Sequence, residues 1–245
     1  MQYSSAMTFP EALPHGPIRE VFDDVFIVTG QMQTSFPEFP DVDWSFNRNM
    51  IIVREDGDLT LINSVRLTDE GLEELEGLGR VAHLVQIGAL HTRDDPFYID
   101  RYSPTFWAAP GIEHEAIKVD HHLFPMGPTP FLDCSVFVFE TTALPEAVLI
   151  IERDGGIAVG CDALQNWTEP DEHFTDDTIE LMTELGFFQE ANFGPLFMMR
   201  SSPQSSDFDR LLAMPFRHAL CGHGDPLNDI AHEAYVARAA QVFNS

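Results

Sequence analysis

The spacing of apolar and polar positions changes several times along the chain, and each change marks an element. Residues 21–30 (VFDDVFIVTG) are rich in β-branched and aromatic side chains and end on a glycine, which predicts a strand. Residues 50–53 and 59–63 predict two more strands, joined through Asp56-Gly57-Asp58, a strong hairpin signal. Residues 68–78 switch to helical spacing, with Leu72 and Leu75 on one side of an acidic segment. Thr68 can cap that helix; three residues on stands Gly71 rather than a glutamate, so no capping box forms. Residues 81–87 return to a strand and run into the polar stretch His91-Thr92-Arg93-Asp94-Asp95. A helix starts at 96–102, and residues 105–109 form a short strand closed by Pro110-Gly111.

The second half repeats the rhythm. Residues 131–141 and 147–152 predict strands, Asp154-Gly155-Gly156 a turn, and 157–160 a strand that ends at Cys161-Asp162. Helices are predicted at 176–185 and at 207–214, the second carrying Phe208, Leu211 and Leu212. Residues 218–221 are a short strand ending in Gly222-His223-Gly224, and 229–243 a closing amphipathic helix with Ile230, Ala234, Ala237 and Val242. Two runs of strands, each followed by helices, predict an α/β fold with two mixed sheets face to face and helices outside, an αββα sandwich. No linker divides the chain, so residues 1–245 are expected to form one domain. Residues 31–49 have no evident period and are rich in proline and aromatics (Phe36, Pro37, Phe39, Pro40, Trp44, Phe46). Such a segment is either a functional loop that covers a substrate or a hairpin arm packed on the core.

Composition narrows the functional classes. Lys+Arg number 13 against 40 Asp+Glu, a formal charge of −27, and 44% of residues are hydrophobic. The chain can therefore bury a large core. It has no basic stripe for nucleic acid and no attraction to an anionic membrane surface. No apolar run reaches the length of a membrane span, and the first residues lack the basic-then-apolar order of a secretory signal, so a cytoplasmic protein is the expectation. The three cysteines, Cys134, Cys161 and Cys221, are far apart in sequence and form no Cys-x-x-Cys pair. Lys118 is the only lysine. An acidic, lysine-poor surface suits a salty cytoplasm, where cations screen its self-repulsion; an ordinary acidic protein from a GC-rich genome would have the same composition.

The candidate chemistry lies at the strand ends. The strand at 81–87 leads to His91 and Asp95, that at 157–160 to Asp162, and that at 218–221 to His223. Strand ends along one sheet edge are where binding sites of mixed folds gather. Imidazole plus carboxylate suits a divalent metal such as zinc, iron or manganese. Each residue also has a purely structural reading. Asp95 before Pro96 is a good helix start, His91 and Asp162 can serve strand ends and turns, and Gly222-His223-Gly224 can be a tight turn. His121-His122 is expected in a solvated turn, His218 in the core or at a strand edge, and the acidic run around His173 in a solvated loop. Cys161 and Cys221 read best as buried small residues. No Gly-x-Ser-x-Gly elbow and no phosphate loop are present.

From residue 21 to the last helix the chain resembles the metallo-β-lactamase fold. The resemblance rests on the opening three strands, the His91 segment, "VGCDAL" and "CGHGDPL". By the family's His-x-His-x-Asp-His motif, His91 matches the first histidine and Asp95 the aspartate. Asp162 matches the later Gly-Asp aspartate, with Cys161 intervening, and His223 the closing histidine. Arg93 stands where the second histidine belongs and Pro96 where the last belongs; Pro128 replaces the histidine of a Gly-His segment. The resemblance implies a hydrolase of esters, thioesters, lactones or phosphoesters with at most one divalent metal, held by Asp95, Asp162 and His223 together with His91. Asp95 would orient or accept a proton, and Arg93 would hold an anionic group or the oxyanion. The alternative is a non-catalytic binding or assembly protein with a metal-free site, in which Arg93 is locked to Asp95 or Asp162.

Overall fold

The computed structural model describes residues 9–114 and 117–243. The first sheet runs in strict chain order: β1 (Arg19–Phe22), β2 (Val25–Phe36), β3 (Phe39–Glu55), β4 (Asp58–Ile62), β5 (Arg80–Gln86), β6 (Thr105–Ala108) and β7 (His121–His122). The first four strands are antiparallel, made by hairpins. From β4 onward the pairing is parallel, because α1 (Asp69–Leu78) and α2 (Asp95–Tyr102) carry the chain back between strands. The second sheet contains β8 (Cys134–Val138), β9 (Ala147–Ile151), β10 (Ile157–Val159) and, after a two-stranded ribbon of β11 (Leu164–Gln165) and β12 (Asn192–Phe193), β13 (His218–Leu220). Its order is β13-β10-β9-β8. The remaining helices are α3 (Asp176–Glu184), α4 (Pro195–Ser201), α5 (Ser205–Leu212) and α6 (Ala231–Phe243).

Side-chain alternation builds the layers. Val25, Ile27, Ile51 and Val53 of the first sheet meet Leu149, Ile151, Ile157 and Val159 of the second in one buried cluster between the sheets. Their neighbours Phe26, Val28, Met50 and Ile52 face the other way, onto Leu72 and Leu75 of α1 and Phe97 and Tyr98 of α2. Val148 and Ile150 likewise face outward onto Phe197 of α4, Phe208 and Leu211 of α5 and Tyr235 of α6. This is the expected αββα sandwich of two mixed sheets with helices outside.

Several expectations need correction. The strand expected at 21–30 is broken by a turn at Asp23-Asp24, with Asp24 at φ 58°, so it is the end of one strand and the start of another. Residues 31–49 are the hairpin arm rather than a loop. Pairing of β2 with β3 continues from Thr29↔Asn49 outward through Thr34↔Trp44 to Phe36↔Phe39, and only Pro37-Glu38 form the tip. The period of two is present, with Met32, Phe36, Val42, Trp44 and Phe46 all on even positions, but Pro37, Phe39 and Pro40 interrupt it around the tip. His121-His122 form a short strand beside β6 instead of a solvated turn. The strand expected at 131–141 spans only Cys134–Val138, and α4 was not foreseen. Thr68 does cap α1, accepting the Gly71 N–H at 3.3 Å. No helix among the described residues is long and apolar enough to cross a membrane.

Candidate metal centre

The parallel pairing of β10 with β13 sets the centre of the site. Val159 lies opposite Leu220, so the residues three beyond each, Asp162 and His223, leave neighbouring strand ends side by side. His91 arrives from the end of β5 in the other sheet. Two glycines permit that approach. A Cβ on Gly88 would stand 2.4 Å from Cys161 Sγ, and one on Gly222 would stand 3.2 Å from the Cys161 backbone and 3.3 Å from the His91 ring.

Three donor atoms then face one another. His91 Nε2 lies 3.1 Å from His223 Nε2, His223 Nε2 3.2 Å from Asp162 Oδ1, and His91 Nε2 3.7 Å from the same oxygen. Both histidines are buried. His223 Nδ1 is 3.1 Å from the Asn47 carbonyl oxygen. Donation from Nδ1–H there leaves the Nε2 lone pair aimed at the group, the arrangement seen for metal-bound imidazoles. His91 Nδ1 is buried without a partner. Cys161 Sγ also lies within 4.8 Å of the donor atoms of His91 and Asp162, and faces Asp162 Oδ2 at 3.7 Å.

The electrostatics assign charges. Burial by itself would raise the Asp162 pKa, but the two imidazoles outweigh it and hold the carboxyl well below the ordinary range. Burial pushes the His91 pKa down against the pull of Asp162, with His223 and Arg48 adding to the fall. Burial, with Asp162 and Glu146 nearby, pushes the Cys161 thiol up, and burial pushes Cys221 up to about 12, so both cysteines are protonated, buried small residues. Beneath Asp162, the buried Glu146 accepts the Ala163 N–H at 2.6 Å and so fastens the turn that carries the aspartate.

A cavity of about 200 Å³ opens over the three donors. One wall is a single face of the hairpin arm: Met32, Thr34 and Phe36 from β2 with Trp44, Phe46 and Arg48 from β3, all even positions, as the pleat requires. The opposite wall is Trp167, Met182, Phe187 and Leu196. His223 sits between the rings of Phe46 and Trp167, at centroid distances of 5.8 and 4.7 Å.

Of the residues singled out in the sequence, His91, Asp162 and His223 are brought together. Asp95 and Arg93 are not. Asp95, fully buried in the first turn of α2, accepts the Ser64 hydroxyl at 2.6 Å and lines no part of the cavity. Burial raises its pKa to about 7, against the pull of Ser64 and Arg48, while Asp94 adds to the rise. Arg93 points away, to Asp94 Oδ1 at 2.9 Å and the Glu11 carbonyl at 3.2 Å. The proline positions hold no ligand: Pro96 is in the first turn of α2, and Pro128 is exposed in the loop between β7 and β8.

The sequence reading missed Arg48. Its guanidinium, 2% exposed, reaches the cavity wall and is ion-paired with Asp94, itself 1% exposed. Asp94 also accepts the Arg66 N–H at 2.7 Å and Arg93, so one carboxylate serves two guanidinium groups. The available signal was Asn47-Arg48-Asn49, three polar residues in the middle of a strand that is buried on both faces.

No family model matches the sequence, and no curated protein does. Solved structures do match. The mono-zinc form of the metallo-β-lactamase FIM-1 from Pseudomonas aeruginosa superposes with a TM-score of 0.59 at 12% identity, over 95% of this chain and 97% of that one. DIM-1 metallo-β-lactamase exposed to ceftazidime gives 0.60 at 13% identity over 94% and 99%. A metallo-β-lactamase from Hirschia baltica gives 0.56 at 11% identity over 91% and 98%. The chain has the metallo-β-lactamase fold. At this identity the likeness is one of architecture.

Proposed function

We propose that the chain is a metal-dependent hydrolase with a mononuclear site made by His91, Asp162 and His223. The observation that carries this reading is the mutual facing of two Nε2 atoms and one carboxylate oxygen at 3.1, 3.2 and 3.7 Å. Ligand atoms about 2.0–2.1 Å from a tetrahedral ion stand roughly 3.3–3.4 Å apart, so the set fits zinc, and iron or manganese by donor type. Without an ion, two neutral imidazoles at this spacing can share only one hydrogen bond, while His91 Nδ1 has no partner. A divalent ion held there would lower the pKa of a water for attack on a carbonyl or phosphoryl carbon or phosphorus centre.

The chain's own groups supply the rest. Asp162 is a carboxylate throughout the neutral range and can accept a proton-bearing group at the reacting centre. The Asn47 carbonyl fixes the tautomer of His223. The aromatic walls exclude bulk water, which strengthens every polar contact at the floor. Asp95 and Arg93 carry no role at the reacting atoms in this reading, since neither lines the cavity. The alternative, a metal-free binding or assembly protein, predicts no stoichiometric metal and Arg93 locked to Asp95 or Asp162; Arg93 is paired with Asp94, and metal content decides between the two readings.

The test is elemental analysis of protein purified without chelator or affinity metal. About one ion per chain, lost in His91→Ala and in His223→Ala, is expected. Protein that stays empty after reloading with zinc, iron and manganese overturns the assignment, as does metal retained in both variants.

A further inference from the structure

We infer that Glu146 is a positioning residue of the metal centre: it ties the turn that carries Asp162 to the segment that carries His91, and so sets the separation of those two ligand atoms. The inference deepens the hydrolase reading above and rests on it for what the centre holds.

The need for such a tie follows from the topology. Asp162 and His223 are registered on each other within one sheet. The pairing of β10 with β13 reaches Val159↔Leu220 and continues through Gly160, whose N–H donates to the Leu220 carbonyl at 3.1 Å and whose carbonyl accepts the Gly222 N–H at 2.9 Å. His91 comes from the other sheet, so no ladder within either sheet sets it against Asp162.

Glu146 spans that gap with its two ends. Its main chain leads into β9 and lies opposite Gly88 as an isolated antiparallel bridge. The flanking Ala147 donates its N–H to the Ile87 carbonyl at 2.8 Å, and Ala89 donates to the Pro145 carbonyl at 3.2 Å. The backbone at 145–147 is thereby registered on the segment that runs into His91. The side chain serves the other segment. Its Oε1 accepts the Ala163 N–H at 2.6 Å, and the N–H groups of Asp162 and Cys161 add to that contact. Successive backbone N–H groups that converge on one carboxyl make an anion-binding turn, and the middle group belongs to Asp162 itself.

Packing leaves this link little slack. Glu146 is 2% exposed. A Cβ on Gly88 would stand 2.4 Å from Cys161 Sγ and 3.5 Å from Glu146 Oε2, so the carboxyl is wedged where the two segments touch. The chemistry required is an acceptor at that length of side chain. Glutamine keeps the acceptor and the reach. Aspartate keeps the charge and shortens the reach. Leucine keeps much of the volume and leaves the buried N–H groups without an acceptor.

The test compares Glu146→Gln, Glu146→Asp and Glu146→Leu with the unmodified chain. Zinc affinity of the folded protein is measured by competition with a chromophoric chelator, and metal-free crystals give the geometry. Glu146→Gln should bind zinc within about threefold of the unmodified chain, Glu146→Asp about tenfold more weakly and Glu146→Leu about 100-fold more weakly. In metal-free crystals of the last two, the distance from His91 Nε2 to Asp162 Oδ1 should depart from 3.7 Å by about 1 Å, on the scale of the C–C bond removed in the aspartate variant. The 3.2 Å contact of His223 with Asp162 should hold. A residue that only stabilised the fold would lower the melting temperature and leave both readouts unmoved; that result overturns the proposal, as does a loss in Glu146→Gln equal to that in Glu146→Leu. If Glu146→Leu fails to fold, Glu146→Asp carries both readouts. An unmodified chain that binds no zinc, iron or manganese sinks the hydrolase reading alone, since the metal-free distances still decide the role of Glu146.

Discussion

Two clusters of ionisable side chains lie close together where the sheets end, and they are built on opposite principles. Around Asp94 the valences are closed from within: Arg48, Arg93 and the Arg66 N–H all turn inward to one buried carboxylate, and Ser64 serves the neighbouring Asp95. Around Asp162 they are not all closed: two imidazole Nε2 atoms and a carboxylate oxygen face one another at 3.1 to 3.7 Å, and His91 Nδ1 has no partner. The first cluster is a structural lock, the second a set of potential ligand atoms brought together across the two sheets. Arg93, Asp94 and Asp95 belong to the first cluster, while His91, Asp162 and His223 make the second. A charged residue in a motif position is therefore poor guidance to role until its partners are known.

The comparison can be broken most directly at Asp94. Asp94→Ala strands Arg48 as a buried, unpaired cation and should cost about 3–5 kcal/mol in urea unfolding. A cost below about 1 kcal/mol would show that the lock is not one. In the open cluster the weights should be reversed. Asp162→Asn keeps the shape and the imidazole contacts, so the metal-free protein should change by no more than about 1 kcal/mol, while metal affinity falls at least 100-fold by isothermal titration. Equal metal affinity in that variant would remove Asp162 from the ligand set.

Asp95 sharpens the contrast through pH. Its pKa, raised from 3.8 to about 7 in the folded chain, means that between these values the unfolded state has released a proton that the folded state keeps. Its contribution to stability is complete below about pH 4 and is lost as pH rises to about 7, with a slope approaching one proton. Asp95→Asn keeps the acceptor for Ser64 and should flatten that segment of the stability profile. An unchanged slope would place the titration elsewhere. The smallest effect belongs to Arg93→Ala. Arg93 is 23% exposed and shares Asp94 with Arg48, so its loss should cost at most about 1 kcal/mol in thermal unfolding and leave metal content unchanged. A large loss of metal would restore to Arg93 the role its motif position suggested.

Most of the architecture was legible in the sequence because it depends on local patterns. Alternating Val and Ile with outward partners, as at 50–53 and 147–151, mark strands buried on both faces. Thr68 and the leucines at 72 and 75 mark a capped helix. Asp162 and His223 were also legible, since each directly follows an apolar strand that ends in glycine and cysteine. Residues 31–49 were not, because Pro37, Phe39 and Pro40 around the tip interrupt an alternation that otherwise keeps Met32, Phe36, Trp44 and Phe46 on one face. Arg48 was missed because its local signal, three polar residues inside an apolar strand, does not tell which carboxylate it meets.

What the sequence by itself determined is the layered fold and the delivery of imidazole and carboxylate to strand ends, because strand periodicity and turn chemistry are properties of neighbours in the chain. What only the tertiary structure decided is which of those groups meet. His91 comes from one sheet and Asp162 and His223 from the other, across 132 positions for the two imidazoles. The pairing of Asp94 with Arg48, 46 positions apart, rather than of Arg93 with Asp95 or Asp162, is set by packing of α2 against β3. Charge partners are chosen by distance and burial in space, and sequence spacing encodes neither.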